Sequence, residues 1–306
     1  MNRAPVPPTT SLATTGAPVW LRVGTLFAGD DAGVLRDAHC VYDSAGILHA
    51  GREAPPRHLL RHGQTAPDVH LPAHTLLPGL IEAHAHLFLE GGQENPGLRA
   101  AGLKHPDAEL LARARARLGR LLRLGITAVR YAGDRNAVGL ALQRDYRAAG
   151  RGAMPYVDSP GAAIHHQGRY GSFMGRPIEE HASLEACVAA RATAGAHRIK
   201  LLATGIINFD RGAVTTKPQL SAAELTGAVT AARGLGKQTM IHCSGHDGVA
   251  NCLAARVDTI EHGFFIDEGQ LARLRDLDIA WVPTFAPVQF QADHAAALGW
   301  SDAVRD

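Results

Sequence analysis

The sequence predicts an α/β fold: a parallel-stranded (β/α)8-type barrel lacking its eighth strand, preceded by a small β portion. Three observations carry this. From residue 76 onward, short apolar runs alternate with longer segments of helical periodicity. Seven such strand–helix units follow in series, more than most open sheets use and one short of a (β/α)8 barrel. Residues 18–75 instead show only short runs separated by Gly, Asp and Pro turns.

The elements follow in order. Residues 1–17, MNRAPVPPTTSLATTGA, are rich in Pro and Thr and lack a continuous apolar core, so they predict a disordered tail rather than a signal peptide. VWLRVGTLFAG, HCVYD, GILHAG and HTLLPG supply the strands of the β portion at 18–75. The barrel portion spans 76–306. PGLIEAHAHL reads as its first strand. PDAELLARARARLGRLLRLG (106–125) is a helix with Asp107 in its first turn and Gly125 at its end. ITAVRYAGD and MPYVDSPG are strands around the helix AVGLALQRDYRAAG. An irregular stretch, AAIHHQGRYGSFMGRPIEEH, follows. SLEACVAARATAG, SAAELTGAVTAARGLG, HDGVANCLAAR and DEGQLARLRDLD are helices between the strands HRIKLLATG, QTMIHCSG, VDTIEHG and IAWVPTF. Ser221 and Glu224 have the spacing of a capping box. The tail from Val288 reads mostly as a helix.

Composition removes several functions. The formal net charge is +2, from 31 basic and 29 acidic residues, which gives no electrostatic case for nucleic acid or an anionic membrane. The arginine run RARARLGRLLRLG (113–125) reads as a solvated helix face. Cys40, Cys187, Cys243 and Cys252 form no CxxC and sit inside predicted elements, so a reduced, cytoplasmic protein is expected. No run of about eighteen apolar residues predicts a membrane span. Neither a Walker loop nor a GxSxG elbow is present.

In barrels of this type, chemistry sits where strands end and βα loops begin. His84 and His86 close the first strand, and residues i and i+2 of a strand share a face. Alone, the pair fits either a metal or two hydrogen-bonded core histidines. Lys200 lies within the apolar strand HRIKLLATG. A buried lysine is costly unless paired, modified or able to reach solvent from the strand end. His242 ends the apolar run of QTMIHCSG and His262 that of VDTIEHG. Four histidines and a lysine at the ends of strands one, four, five and six form one candidate constellation, and neutral imidazole is the commonest protein ligand for zinc-like ions.

These residues carry a family resemblance. LLPGLIEAHAHL, LGITAVR, IKLLATG, LGKQTMIHCSG and VDTIEHG resemble, in order and spacing, the motifs of the amidohydrolase superfamily. Its Xaa-Pro dipeptidase and imidazolonepropionase-like branch is the most similar, with Glu82 where Asp is usual. The resemblance covers about residues 18–290. It implies a small β-sandwich followed by a metal-bearing barrel. It further implies two divalent metal ions, zinc foremost. His84 and His86 would bind one and His242 and His262 the other. Lys200, carboxylated by carbon dioxide, would bridge them. The implied reaction is hydrolysis of an amide or dipeptide C–N bond, or of a related ester or lactone, by a metal-bound hydroxide. Lys200, His242 and His262 would be the catalytic residues and a small molecule the substrate.

The loops depart from the family pattern. His165 and His166 stand where Gly-Gly-His is common, and Arg130-Tyr131 where Arg-Asp is. Arg130, His165, His166, Arg169 and Tyr170 are candidates for binding a substrate carboxylate or phosphate. The family's eighth strand carries a metal-binding aspartate, whereas this sequence closes on WSDAVRD, where neither Asp302 nor Asp306 follows an apolar strand. The competing expectation is therefore an inactive truncated remnant, or one subunit of a split enzyme. Such a subunit would associate with itself or with a complementary C-terminal chain.

Overall fold

A computed structural model describes residues 16–29, 33–93, 95–150, 152–208 and 211–305. Most of the expected N-terminal tail, together with Asp306, falls outside them. The chain divides into two compact units, Met1–Gly79 and Leu80–Asp306.

The first unit is one four-stranded sheet among the described residues, where the resemblance implies a sandwich. Its strands are β1 (Val19–Phe27), β2 (Val34–Tyr42), β3 (Ile47–Gly51) and β4 (Val69–Leu76), in the order β3-β2-β1-β4. β1 pairs antiparallel with β2 and parallel with β4. The β1–β4 register shifts between Val23 and Thr25, and a Cβ at Gly24 would lie 1.8 Å from the Pro72 carbonyl oxygen. Only glycine permits that approach. Val23, Leu26 and Ala38 form the small core of this unit.

The second unit alternates strands and helices. It runs β5 (Leu80–Ala85), α1 (Pro96–Gly102), α2 (Asp107–Arg123), β6 (Ile126–Tyr131), α3 (Val138–Ala149), β7 (Tyr156–Asp158), β8 (Ala163–His165) and β9 (Gly175–Pro177). Next come α4 (Leu184–Thr193), β10 (Ile199–Leu202), the hairpin β11 (Ile207–Asn208) and β12 (Ala213–Val214), α5 (Ala222–Gly234) and β13 (Thr239–Cys243). The last elements are α6 (His246–Ala255), β14 (Thr259–His262), α7 (Glu268–Asp276), β15 (Ala280–Val282), α8 (Phe285–Asp293), α9 (Ala295–Leu298) and α10 (Asp302–Arg305).

The strands form two parallel sheets, β5-β6-β7 and β15-β14-β13-β10-β8-β9, rather than one ladder. The break falls at residues 159–162, where Pro160 offers no backbone N–H and Gly161 adopts a φ of +65°. The stretch expected to be irregular, 162–181, carries β8 and β9. Neither the β11–β12 hairpin nor α1 was expected.

Helix ends follow local chemistry. Ser221 and Glu224 close the expected capping box on α5, and Asp267 with Gln270 closes a second on α7. One face of each of the helices α2 to α7 supplies the core. Leu225, Val229, Val249, Leu253 and Leu274 pack over Ile199, Leu201, Ile241 and Ile260 of the larger sheet. Leu110, Leu118, Leu142, Val129 and Val157 form the core beside the smaller sheet. All four cysteines are buried and free. Among the described residues no helix is long and apolar enough to cross a membrane.

Two isoleucines separate core from edge. Ile260 is fully buried, whereas Ile81 on the outermost strand of the smaller sheet is 70% exposed. Ile260→Ala is expected to cost about 2–5 kcal/mol through lost burial and a cavity, and Ile81→Ala no more than about 0.5 kcal/mol. Urea unfolding midpoints of the two variants check this. Equal losses would contradict the packing.

Candidate active site

Strand register places the constellation. β10 and β13 pair with Lys200 opposite Met240 and Leu202 opposite His242. β13 and β14 pair with His242 opposite Glu261 and Cys243 opposite His262. His84 lies on β5 and His86 follows directly after it. The four imidazoles converge: ring centroids are 5.4 Å apart for His84 and His86, 4.9 Å for His84 and His262, and 4.6 Å for His242 and His262.

Each ring is fixed by one nitrogen. His86 Nδ1 lies 3.0 Å from the Gly133 carbonyl oxygen and His242 Nε2 3.2 Å from that of Gly205. A carbonyl only accepts, so these nitrogens carry the hydrogen. The lone pair then falls on Nε2 of His86 and on Nδ1 of His242. His84 Nδ1 lies 2.7 Å from Glu261, and His262 Nδ1 2.7 Å from the Thr284 hydroxyl. Holding one nitrogen and freeing the other is how metal-binding histidines are oriented. The backbone is bent to suit. His262 has a φ of +71° and Thr284 one of +52°, in the left-handed region that such side chains rarely adopt. Strain of this kind clusters at functional sites.

Lys200 is 1% exposed, and its Nζ has no hydrogen-bond partner. Burial lowers its pKa to about 8 against the opposing pull of Glu261. All four histidines feel its charge. Burial and then Lys200 bring His86 down to about 4 and His242 to about 3, and push His84 well below its ordinary value. Burial, followed by His242 and His84, does the same to His262, with Lys200 contributing further. The imidazoles are thus neutral near pH 7, as metal ligation requires.

Among the described residues no three His, Cys, Asp or Glu side chains are arranged to hold a metal ion as they stand. The fit to a metal lies in the donor types, their tautomers and the orphaned amine, rather than in a finished coordination shell.

The other sequence candidates separate. Arg130, expected near a substrate loop, lies within β6. Its guanidinium contacts Glu261 at 2.9 Å, the Ala83 carbonyl oxygen at 3.3 Å and the Thr259 hydroxyl. His165 is 2% exposed. Its Nδ1 donates to the His166 carbonyl oxygen at 2.8 Å, and its Nε2 is buried without a partner. The Tyr170 ring lies 5.1 Å from that of His242, and burial lifts its pKa to about 12. Arg169 donates to the Lys217 carbonyl oxygen at 2.6 Å. Arg169, Tyr170, Gly205, Asn208, Thr216 and Gln219 are among the residues lining a cavity of about 370 Å³. Glu261 and Thr284 were not singled out from sequence. Glu261 stands in the motif TIEHG, but its partners are remote in the chain.

His166 bridges two acids, with Nδ1 2.7 Å from Glu179 and Nε2 3.0 Å from Glu224.

The matches to known proteins agree with this architecture. The amidohydrolase family model matches residues 75–283, more than half of the sequence, and the chain belongs to that family. An uncharacterized protein of Mycobacterium tuberculosis (strain ATCC 25618 / H37Rv) is 26% identical over 231 residues, which are 73% of this chain and 54% of that protein. A Mycobacterium bovis protein matches to the same extent. The chain thus spans about half the length of the curated relatives it matches. Among solved structures, a Xaa-Pro dipeptidase with methionine bound in its active site superposes with a TM-score of 0.74 at 23% identity, covering 94% of this chain and 72% of that one. An ochratoxinase from A. niger gives 0.74 at 21%, covering 94% and 69%. A prolidase complexed with N-methylphosphonate-L-proline gives 0.71 at 20%, covering 94% and 71%. At these identities the likeness is one of fold.

The His166 bridge sets a pH window. Burial pulls the His166 pKa down, but the Glu179 and Glu224 hydrogen bonds outweigh it and raise the value above 6.5. Its contribution to stability is present below pH 6.5 and lost as pH rises through the raised value. The His166 bond and the Gln167 N–H lower Glu179 to about 2. Glu224 is also lowered, as Ser221 and His166 outweigh its burial. These carboxylate contributions are present above about pH 4.5 and lost as pH falls through the lowered values. His166→Gln should therefore lower the unfolding midpoint more at about pH 5.5 than at about pH 9. Equal losses at both pH values would rule out the bridge.

Proposed function

We propose that this chain is a metal-dependent hydrolase that cleaves a C–N bond of an amide or dipeptide, or a related ester or lactone. The observation that carries the reading is the Lys200 amine, buried and unpartnered, among four neutral histidines each fixed by one nitrogen. A buried amine without a partner is costly as it stands. Addition of its Nζ to carbon dioxide forms an N–C bond, releases one proton and leaves a carbamate. The carbamate turns the orphan cation into an anionic oxygen donor. Membership of the amidohydrolase family and the likeness in fold to a dipeptidase and a prolidase support the amide substrate.

The residues divide the work. His84 and His86 would hold one divalent cation. His242, through Nδ1, and His262 would hold a second, with the Lys200 carbamate between the two. Such cations, zinc foremost, lower the pKa of water to about 7 and polarise a scissile carbonyl. Gly133, Gly205 and Thr284 keep the ring nitrogens turned. Tyr170 covers one side of His242 and shields it from bulk water. The adjoining cavity receives the substrate, with Arg169 as its cation.

The test is metal removal and reconstitution. Exhaustive chelation should abolish turnover on a panel of dipeptides, lactones and aryl esters, and Zn²⁺ or Mn²⁺ should restore it. Lys200→Ala should lower the metal bound per chain. Turnover that survives complete metal removal would overturn the proposal.

A further inference from the structure

Glu261 is fully buried on β14, and its two oxygens face three different partners. One oxygen lies 2.7 Å from His84 Nδ1 on β5. The other accepts from Arg130 Nη1 on β6 at 2.9 Å and from the Thr259 hydroxyl at 2.8 Å. Arg130 is held in turn by the Ala83 carbonyl oxygen and by Thr259. β5 and β6 belong to the smaller sheet and β14 to the larger, so one carboxylate ties the two sheets together.

A carboxylate beside a guanidinium accepts hydrogen bonds and donates none. His84 must then carry its hydrogen on Nδ1 and its lone pair on Nε2. We propose that Glu261, held in place by Arg130, is a positioning residue that sets the tautomer and orientation of His84 for metal binding. This rests on the metal reading above. Two features separate such a brace from an ordinary buried ion pair. The carboxylate spends one oxygen on the imidazole although Arg130 could engage both. Arg130, in turn, spends two further donors on the backbone carbonyl of the residue before His84 and on Thr259, the second donor to the same carboxylate. The contacts fix the β5 segment that carries His84.

The discriminating variant is Arg130→Met/Glu261→Leu, which removes both charges together. Replacing a buried ion pair by apolar groups of similar volume is often neutral or stabilising, so the fold should survive. Two readouts follow. Co²⁺ affinity, measured by competition with a chromophoric chelator, should fall about 10–100-fold, as on loss of a partner that orients a metal-binding histidine. Ring ¹⁵N shifts of the metal-free protein should report Nδ1–H for His84 in the wild type and a gain of Nε2–H in the variant. A variant with wild-type affinity and an unchanged His84 tautomer overturns the proposal and leaves a purely structural ion pair. If the wild type binds no Co²⁺, the metal reading falls with it. An unchanged tautomer then overturns the Glu261 assignment as well, and a changed one upholds its orienting role. Should the double variant not fold, Glu261→Gln carries both measurements.

Discussion

Burying a lysine amine where neither water nor a hydrogen-bond acceptor reaches it sets the terms for everything around it. An unpaired ammonium inside a protein is penalised by several kcal/mol. Lys200 sits in the middle of β10, flanked by Ile199, Leu201 and Leu202, which are all fully buried. It cannot turn outward without dislodging them. The surroundings adjust instead: its pKa falls towards the physiological range, and four imidazoles beside it are held neutral. Holding four imidazoles uncharged and loosening the lysine's hold on its proton prepares the site to carry little positive charge of its own.

Register turns that preparation into geometry. A parallel pair fixes which residues stand side by side, and a slip of one residue would send every side chain to the opposite face. In the observed pairing, His242 lies beside Glu261 while His262, one residue further on, lies beside Cys243. The left-handed backbone at His262 allows the last residue of β14 to point its ring at His242 rather than follow the alternation of the strand. Apolar packing beneath the sheet by Ile241, Ile260 and the α5–α7 helices holds this register.

Much of this was legible in the sequence. The doublet His84/His86 and the runs containing Lys200, His242 and His262 were readable because apolar strands ending in polar side chains are conspicuous. Helix caps such as Ser221/Glu224 were readable because they depend on neighbours three residues apart. Contacts across the interior were not. Arg130 reads as substrate-facing because it stands near the end of the apolar run ITAV, just before Gly133 and Asp134, and only the fold shows it pairing with Glu261 more than a hundred positions later. Thr284 offered no signal, since its role depends on a backbone turn. The split of the strands into two sheets at residues 159–162 was also hidden, because Pro160 and Gly161 read equally well as the end of a strand.

The four buried thiols have a practical use of their own. An alkylating reagent reacts with exposed thiolate, so a sulfur sealed in a core is modified only when the structure around it opens. Cys40 lies in the first compact unit, and Cys187, Cys243 and Cys252 in the second. Labelling rates at these positions are therefore independent clocks for the two units, native to the chain and needing no engineered probe. They would show whether the sheet at the start of the chain and the second unit breathe together or separately.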